Sequence, residues 1–281
     1  MEIFREPQVL QHFALAQRAA GKTIGLIPTM GFLHEGHLSL IREARKRADI
    51  VIVSIFVNPI QFAPNEDFAC YPRDEIRDLE LCRHEGADAV FLPTPETMYA
   101  PDASITICEN TLSRSLCGIR RPTHFQGVCT VVAKLFNLAS PTLAVFGQKD
   151  FQQAAIIKRM VRDLNFPVEI LVAPIVRERD GLAKSSRNVY LNQQERQNAL
   201  GLSRALALAQ AMVDSGEREV PILRNTLSRL LKEHHLQPDY IEFVDEDSLQ
   251  PKQTIDAQTH VVLAAFCGKT RLIDNAALTV H

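Results

Sequence analysis

Two histidines three residues apart, His34 and His37, are the residues of this chain best placed for chemistry. They belong to the decapeptide Pro28-Thr29-Met30-Gly31-Phe32-Leu33-His34-Glu35-Gly36-His37. The apolar run Ile24 to Ile27 precedes it and a helical pattern starting at Leu38 follows, which predicts a strand, a glycine loop and a helix start. A helix N-terminus presents unpaired N–H groups and the positive end of the helix dipole. Imidazoles placed there suit a phosphate-bearing ligand and can donate to charge developing on phosphorus. Two other readings stay open at this point: a helix cap beside a surface histidine, and a zinc site, since His-x-x-His can bind that ion. Against zinc, Glu35 and Gly36 do not complete an H-E-x-x-H motif, and no third ligand stands nearby in sequence.

Further polar clusters follow other apolar runs. Asn58 and Gln61 come after the β-branched stretch 49–57, where their amides could read hydroxyl and carboxylate groups of a small substrate, or simply form an Asn-Pro turn. Arg120, Arg121 and His124 precede a helical pattern at Val128, as an anion site or a solvated basic loop. Gly147-Gln148-Lys149-Asp150 ends another apolar run. Gly147 lets backbone approach a ligand, Lys149 can meet phosphate, and Asp150 can accept from ribose hydroxyls or merely cap a helix. Gln153 lies one turn further on and can face the same crevice. Lys184-Ser185-Ser186-Arg187-Asn188 combines cations and hydroxyls as a polyphosphate clamp or a flexible polar linker. These clusters fall at or near strand ends on one side of a single sheet, which supports one nucleotide-plus-substrate crevice. Neither G-x-x-x-x-G-K-[ST] nor G-x-G-x-x-G occurs, so the P-loop and the usual dinucleotide fingerprint are both missing.

The elements that must position these groups alternate. Strands are predicted over residues 23–28, 49–57, 89–92, 142–146 and 168–173, and helices over 37–48, 73–85, 127–139 and 150–164. The run 49–57 has the continuous β-branched character of a strand buried on both faces. This order predicts an α/β fold: a mostly parallel sheet with helices on both faces, its ligands beyond the carboxyl ends of the strands. After the polar loop 174–191 the pattern changes. Asn192 and Glu195 form a capping-box signature before a helix to about residue 213. A helix over 220–235 and strands over 239–244 and 260–266 complete a smaller α+β domain. The expected division is residues 1–175, binding nucleotide and substrate, and residues 176–281.

Composition narrows the class. With 281 residues, 46% of them hydrophobic, the chain can bury a sizeable core. Its 31 basic and 33 acidic residues give no argument for nucleic acid or an anionic membrane as partner. No apolar run reaches the roughly 18 residues of a membrane span, and the first residues lack a signal-peptide layout. The six cysteines form no C-x-x-C pair and read as reduced thiols of a cytoplasmic enzyme.

Taken together, the decapeptide 28–37, Asn58-Pro-Ile-Gln-Phe62, Tyr71-Pro-Arg73, Arg121-Pro-Thr-His-Phe125, Gly147-Gln-Lys-Asp150 and Ser185-Ser-Arg-Asn188 resemble the pantoate–β-alanine ligase family. The matches run in order over residues 28 to 188; the C-terminal third is assigned by continuity. The resemblance implies a Rossmann-like domain of the HIGH nucleotidyltransferase superfamily, a smaller C-terminal domain closing over the site, and a cytoplasmic homodimer. It implies attack of a pantoate carboxylate on the α-phosphorus of ATP, giving pantoyl adenylate and pyrophosphate, then attack by the β-alanine amine, giving pantothenate and AMP. Mg²⁺ accompanies the ATP, and no protein ligand to it is assigned. Within the same superfamily, nucleotidyl transfer to a phosphorylated acceptor is the competing activity. A non-catalytic nucleotide- or metal-binding protein on the same fold is the third reading.

By the same resemblance, His34 and His37 stabilise charge on the α-phosphate, with His37 the proton donor, and Met30 flanks the site through its backbone. Lys149, Ser185, Ser186 and Arg187 hold phosphates, and Lys149 and Arg187 join the histidines as catalytic residues. Gly147 and Asp150 hold the ribose, and the rest of the decapeptide, Gln148, Val176 and Lys184 complete the ATP site. Gln61 and Gln153 bind pantoate, with Asn58, Arg121 and His124 nearby. Three positions depart from the family pattern: Gln148 for Glu, Ala63 for Gly, and Lys184 for an apolar residue.

Overall fold

A computed structural model describes residues 1–64 and 66–280. They divide into two compact units, Met1–Pro174 and Ile175–His281. The first unit runs β1 (Glu2–Phe4), α1 (Pro7–Ala19), β2 (Ile24–Thr29), α2 (Glu35–Arg45), β3 (Ile50–Ile55), α3 (Glu75–His84), β4 (Ala89–Phe91), α4 (Pro95–Met98), α5 (Cys117–Arg120), α6 (His124–Ala139), β5 (Leu143–Gly147), α7 (Phe151–Asp163) and β6 (Glu169–Ala173). Short 3-10 turns at Pro59–Gln61, Leu112–Arg114 and Gln148–Asp150 punctuate it.

Its six strands form one parallel sheet in the order β1-β4-β3-β2-β5-β6. Every residue of β3 is buried, the environment in which a continuous β-branched run is stable. From β2 the chain winds outward through β3 and β4; it then returns to the other side of β2 with β5 and β6. The strand order therefore reverses between β2 and β5, and the crevice opens outside the carboxyl ends of those two strands. Thr29 ends β2 and Gly147 ends β5, so the decapeptide and the Gly147–Asp150 segment leave the sheet at the same edge.

Two elements of this unit escape a reading of local pattern. β1 is a three-residue edge strand, Glu2 to Phe4, with one buried side chain, and α1 starts from Glu6 without a side-chain cap.

The second unit contains a 3-10 turn (Ser186–Tyr190), α8 (Gln193–Ala199), α9 (Gly201–Asp214), α10 (Val220–Glu233), β7 (Gln237–Asp245), β8 (Thr259–Cys267) and β9 (Thr270–Ala277). The three strands pair antiparallel in sequence order. Leu202, Leu206, Leu223, Leu227 and Leu231 from α9 and α10 pack on Phe243 and Leu263. The capping box at Asn192 and Glu195 forms as the sequence predicts. The expected single helix beyond it is interrupted at Leu200. There Gly201 lies so close to His234 that an added Cβ would sit 2.8 Å from that side chain. Among the described residues no helix is long and apolar enough to cross a membrane.

Candidate active site at the ends of β2 and β5

The loop after β2 is built on its backbone. Thr29 Oγ1 donates to the Ser54 carbonyl at 2.8 Å and accepts from the Gly31 N–H at 3.2 Å, tying the strand end to β3. Gly31 has φ +81°, and a Cβ there would meet Ile55 Cγ2 at 2.9 Å and Asp78 Oδ2 at 3.1 Å, so only glycine fits without displacement. Phe32 follows with φ +49°. The carboxylate of Asp78 accepts from the N–H groups of both Phe32 and Leu33 at 2.7 Å. Asp78 is 1% exposed; burial pushes its carboxyl upward, against the opposing pull of those N–H groups. Arg77 completes the brace, donating to the Leu33 carbonyl at 3.0 Å with its guanidinium over the Phe32 ring.

His34 is the N-cap of α2. Its Nδ1 accepts from the Gly36 N–H at 3.1 Å, while His37 Nδ1 accepts from the His34 N–H at 3.3 Å. Since both Nδ1 atoms accept, the proton of each neutral ring sits on Nε2. The rings stack with centroids 4.1 Å apart. Desolvation lowers the pKa of His37 to about 4, with Asp150 opposing and Lys149 reinforcing the shift. His37 is thus a neutral Nε2–H donor near pH 7, and its electrostatic partners are the residues at the end of β5. Lys149 and Asp150 themselves approach to 4.0 Å in the 3-10 turn.

A second cluster surrounds Gln61. Its carbonyl Oε1 accepts from Asn58 Nδ2 at 3.0 Å, and its Nε2 donates to Met30 Sδ at 3.1 Å, joining the 3-10 turn after β3 to the decapeptide. Asn58 is 1% exposed, and its side chain is fully engaged: Nδ2 also donates to the Gly127 carbonyl at 3.1 Å, and Oδ1 accepts from the Tyr99 hydroxyl at 2.8 Å. Arg121 pairs through its fork with Glu66 and donates to His124 Nε2 at 3.1 Å. The other ring nitrogen, Nδ1–H, then donates to the Gln61 carbonyl at 2.8 Å. Desolvation first, then the Arg121 charge, brings the pKa of His124 to about 4. Arg121 and His124 therefore brace the main chain of Gln61. Gln153 lies in the first turn of α7. Its neighbour Gln152 is buried, accepting from the Cys117 N–H and donating to the Leu112 and Ser115 carbonyls.

In the second unit, Val176 and Lys184 close a short hairpin-like loop, with the Lys184 N–H donating to the Val176 carbonyl at 2.9 Å. Glu178 is its hub: the carboxylate accepts from Asn188 at 3.1 Å and Arg196 at 2.9 Å, with the Lys184 ammonium at 3.6 Å. Arg177 forks onto Asp274 at 2.6 and 2.9 Å. Ser185 caps the following 3-10 turn by accepting from the Arg187 N–H at 3.3 Å. Lys184 is thus paired within the loop.

This geometry can be set against known proteins. The family model for pantoate-beta-alanine ligase matches residues 2–277. A pantothenate synthetase of Fervidobacterium nodosum is 55% identical over 91% of this chain and 91% of its own. Another, from Thermotoga neapolitana, is 52% identical over 99% of this chain and all of its own. The chain belongs to the pantoate–β-alanine ligase family. Among solved structures, the Thermus thermophilus pantothenate synthetase is similar with a TM-score of 0.92 at 40% identity, over 99% of both chains. The Francisella tularensis ligase, solved in complex with beta-gamma ATP and beta-alanine, has a TM-score of 0.83 at 32% identity, over 99% of this chain and 97% of its own.

Several residues that shape the site carry no local signal. Asp78 bonds to residues 45 and 46 positions away, Tyr99 reaches Asn58 across 41, and Gln152 holds a loop 35 to 40 positions back. Glu66 and Glu178 look like ordinary surface acids in sequence. An acid or amide flanking a motif is the only available pointer to them. No group of three or more His, Cys, Asp or Glu side chains able to hold a metal ion occurs among the described residues.

Proposed function

We propose that this chain is an ATP-dependent carbon–nitrogen ligase that joins pantoate to β-alanine. In the first step a pantoate carboxylate oxygen attacks the α-phosphorus of ATP, a P–O bond forms, and the bond to pyrophosphate breaks. In the second, the free amine of β-alanine attacks the acyl carbon, a C–N bond forms, AMP leaves with the former carboxylate oxygen, and the amine loses a proton. The carboxylate is already ionised at neutral pH, so the first step needs alignment and charge stabilisation more than a base.

The observation that carries this reading is that the stacked His34 and His37 cap the helix leaving β2, at the strand-order switch where β5 delivers Lys149 and Asp150 within electrostatic reach of His37. A neutral Nε2–H at a helix N-terminus is a preorganised donor for a phosphate oxygen on which charge builds. His34 stacks beside it for the same task. In this reading Lys149, Ser185, Ser186 and Arg187 contact the phosphates. Gly147 and Asp150 hold the ribose, while the decapeptide, Gln148, Val176 and Lys184 line the rest of the nucleotide site. Gln61 and Gln153 bind pantoate; Asn58, Arg121 and His124 support Gln61. Residues 1–175 bind nucleotide and pantoate. Mg²⁺ enters with ATP and neutralises phosphate charge, held mainly by phosphates and water. The protein works as a cytoplasmic homodimer, a state that light scattering on the purified chain checks.

The test is to supply the protein with Mg-ATP and pantoate, with and without β-alanine, and to follow AMP and pyrophosphate. Sustained AMP release that requires β-alanine is expected. AMP production indifferent to β-alanine contradicts the ligase reading.

A further inference from the structure

The side-chain amide of Gln61 can be turned end for end with almost no change of shape, so its surroundings decide whether it offers a donor or an acceptor. The decision begins at Gly127. Its carbonyl can only accept, and it lies against Asn58 Nδ2 at 3.1 Å. Gly127 cannot retreat: an added Cβ would stand 2.6 Å from the Ile60 carbonyl oxygen and 2.7 Å from Gln61 Cα, which shows how closely α6 meets this turn. On the other edge of the Asn58 amide, the Tyr99 hydroxyl donates to Oδ1 at 2.8 Å. Burial pushes the Tyr99 phenol upward, so it stays protonated. The Gly127 carbonyl therefore turns the N–H edge of Asn58 toward Gln61, whose Oε1 accepts it at 3.0 Å, and the Tyr99 hydroxyl, able to donate or accept, holds that orientation by satisfying Oδ1. With Oε1 taken, Gln61 Nε2 points the other way, onto Met30 Sδ at 3.1 Å. A thioether is a weak acceptor that an oxygen readily replaces. Inverting Gln61 would set its amide N–H against the N–H of Asn58 among side chains 7% and 1% exposed, leaving buried polar groups unpaired.

We infer that Asn58, oriented by the Gly127 carbonyl and anchored by Tyr99, is a positioning residue that fixes the polarity of Gln61, so that it offers N–H and meets an acceptor oxygen of pantoate, with Tyr99 a second positioning residue behind it. The inference rests on the reading of Gln61 as a pantoate contact. It adds Tyr99, which touches neither substrate in this scheme, and it excludes a substrate hydroxyl that donates to Gln61.

Steady-state KM for pantoate and for ATP, measured for Tyr99→Phe, Gln61→Ala, Gln61→Glu and the Tyr99→Phe/Gln61→Ala double variant, tests it. Tyr99→Phe keeps the ring and deletes one hydrogen bond. It should raise the pantoate KM roughly 3- to 10-fold while leaving the ATP KM unchanged, and that effect should vanish when Gln61 is already alanine. Gln61→Glu, which offers an acceptor in the same shape, should raise the pantoate KM at least as much as Gln61→Ala. A pantoate KM unchanged in Tyr99→Phe but raised in Gln61→Ala overturns the relay and spares the contact. The relay is equally overturned if the Tyr99→Phe effect persists in full without Gln61. A pantoate KM untouched by Gln61→Ala overturns the contact itself and the inference with it.

Discussion

His34 and His37 share the cap at the start of α2: His37 Nδ1 accepts from the backbone N–H of His34 at 3.3 Å, His34 Nδ1 accepts from that of Gly36 at 3.1 Å, and the two rings stack at 4.1 Å. The arrangement satisfies orphan helix donors and at the same time leaves the proton of each neutral ring on Nε2. One pair of residues thus serves the fold and orients the donors. His37→Ala should lower the rate of pantoyl-adenylate formation about 100-fold, near 3 kcal/mol of barrier. Losing the cap should cost about 1 kcal/mol of stability. Rapid-quench measurement of pyrophosphate release, beside a thermal melt, separates the two effects.

Stability should fall on acidification from pH 6.5 toward 4. The pKa values of His124 and His37 both lie at about 4 in the folded chain, whereas the unfolded chain protonates at about 6.5. The unfolded state therefore binds more protons in this window, and stability is fully present above it and lost as pH drops. For His124, 9% exposed, the contribution is of the order of 3 kcal/mol; His37, a residue only partly buried, contributes less. Urea unfolding at pH 7 and pH 5 should show the loss, and His124→Gln should flatten it. An unchanged pH dependence in that variant contradicts the assignment.

Asp78→Ala should destabilise the chain by about 2–4 kcal/mol, since it strips the partners from two N–H groups in a loop that already holds φ +81° and +49° at Gly31 and Phe32. ATP affinity should weaken with it, because the loop sets the approach to α2. Denaturant melts and calorimetric titration with ATP check both; weakened ATP binding without a stability change contradicts the loop role.

Glu178→Ala should raise the KM for ATP roughly 10-fold, the size expected when charge-assisted hydrogen bonds organising a loop are lost. Its three partners, Lys184, Asn188 and Arg196, all bear on the segment proposed to hold phosphates. The pantoate KM should change little, and steady-state kinetics with each substrate varied in turn decides it.

The parts legible in sequence are those encoded locally. The β-branched run ending at Ile55 marks a strand buried on both faces, and the glycine–histidine loop before Leu38 marks a helix start. The residues that aim the site are not legible, because their partners lie dozens of positions away: Asp78 below Phe32 and Leu33, Tyr99 behind Asn58, Arg121 on Glu66. β9 escapes a sequence reading for a related reason. Its polar residues Arg271 and Asp274 are consumed by Asp239 and Arg177, so the strand shows no alternation of apolar and polar positions. Arg121 and His124 show the converse: read locally they suggest an anion site, and in the fold they support the main chain of Gln61.

The central claim, attack of a carboxylate on the α-phosphorus of ATP, is tested most directly by following the carboxylate oxygen. Pantoate labelled with heavy oxygen in its carboxyl group should yield AMP carrying one labelled oxygen and pyrophosphate carrying none. Unlabelled AMP, or label in pyrophosphate, would contradict it.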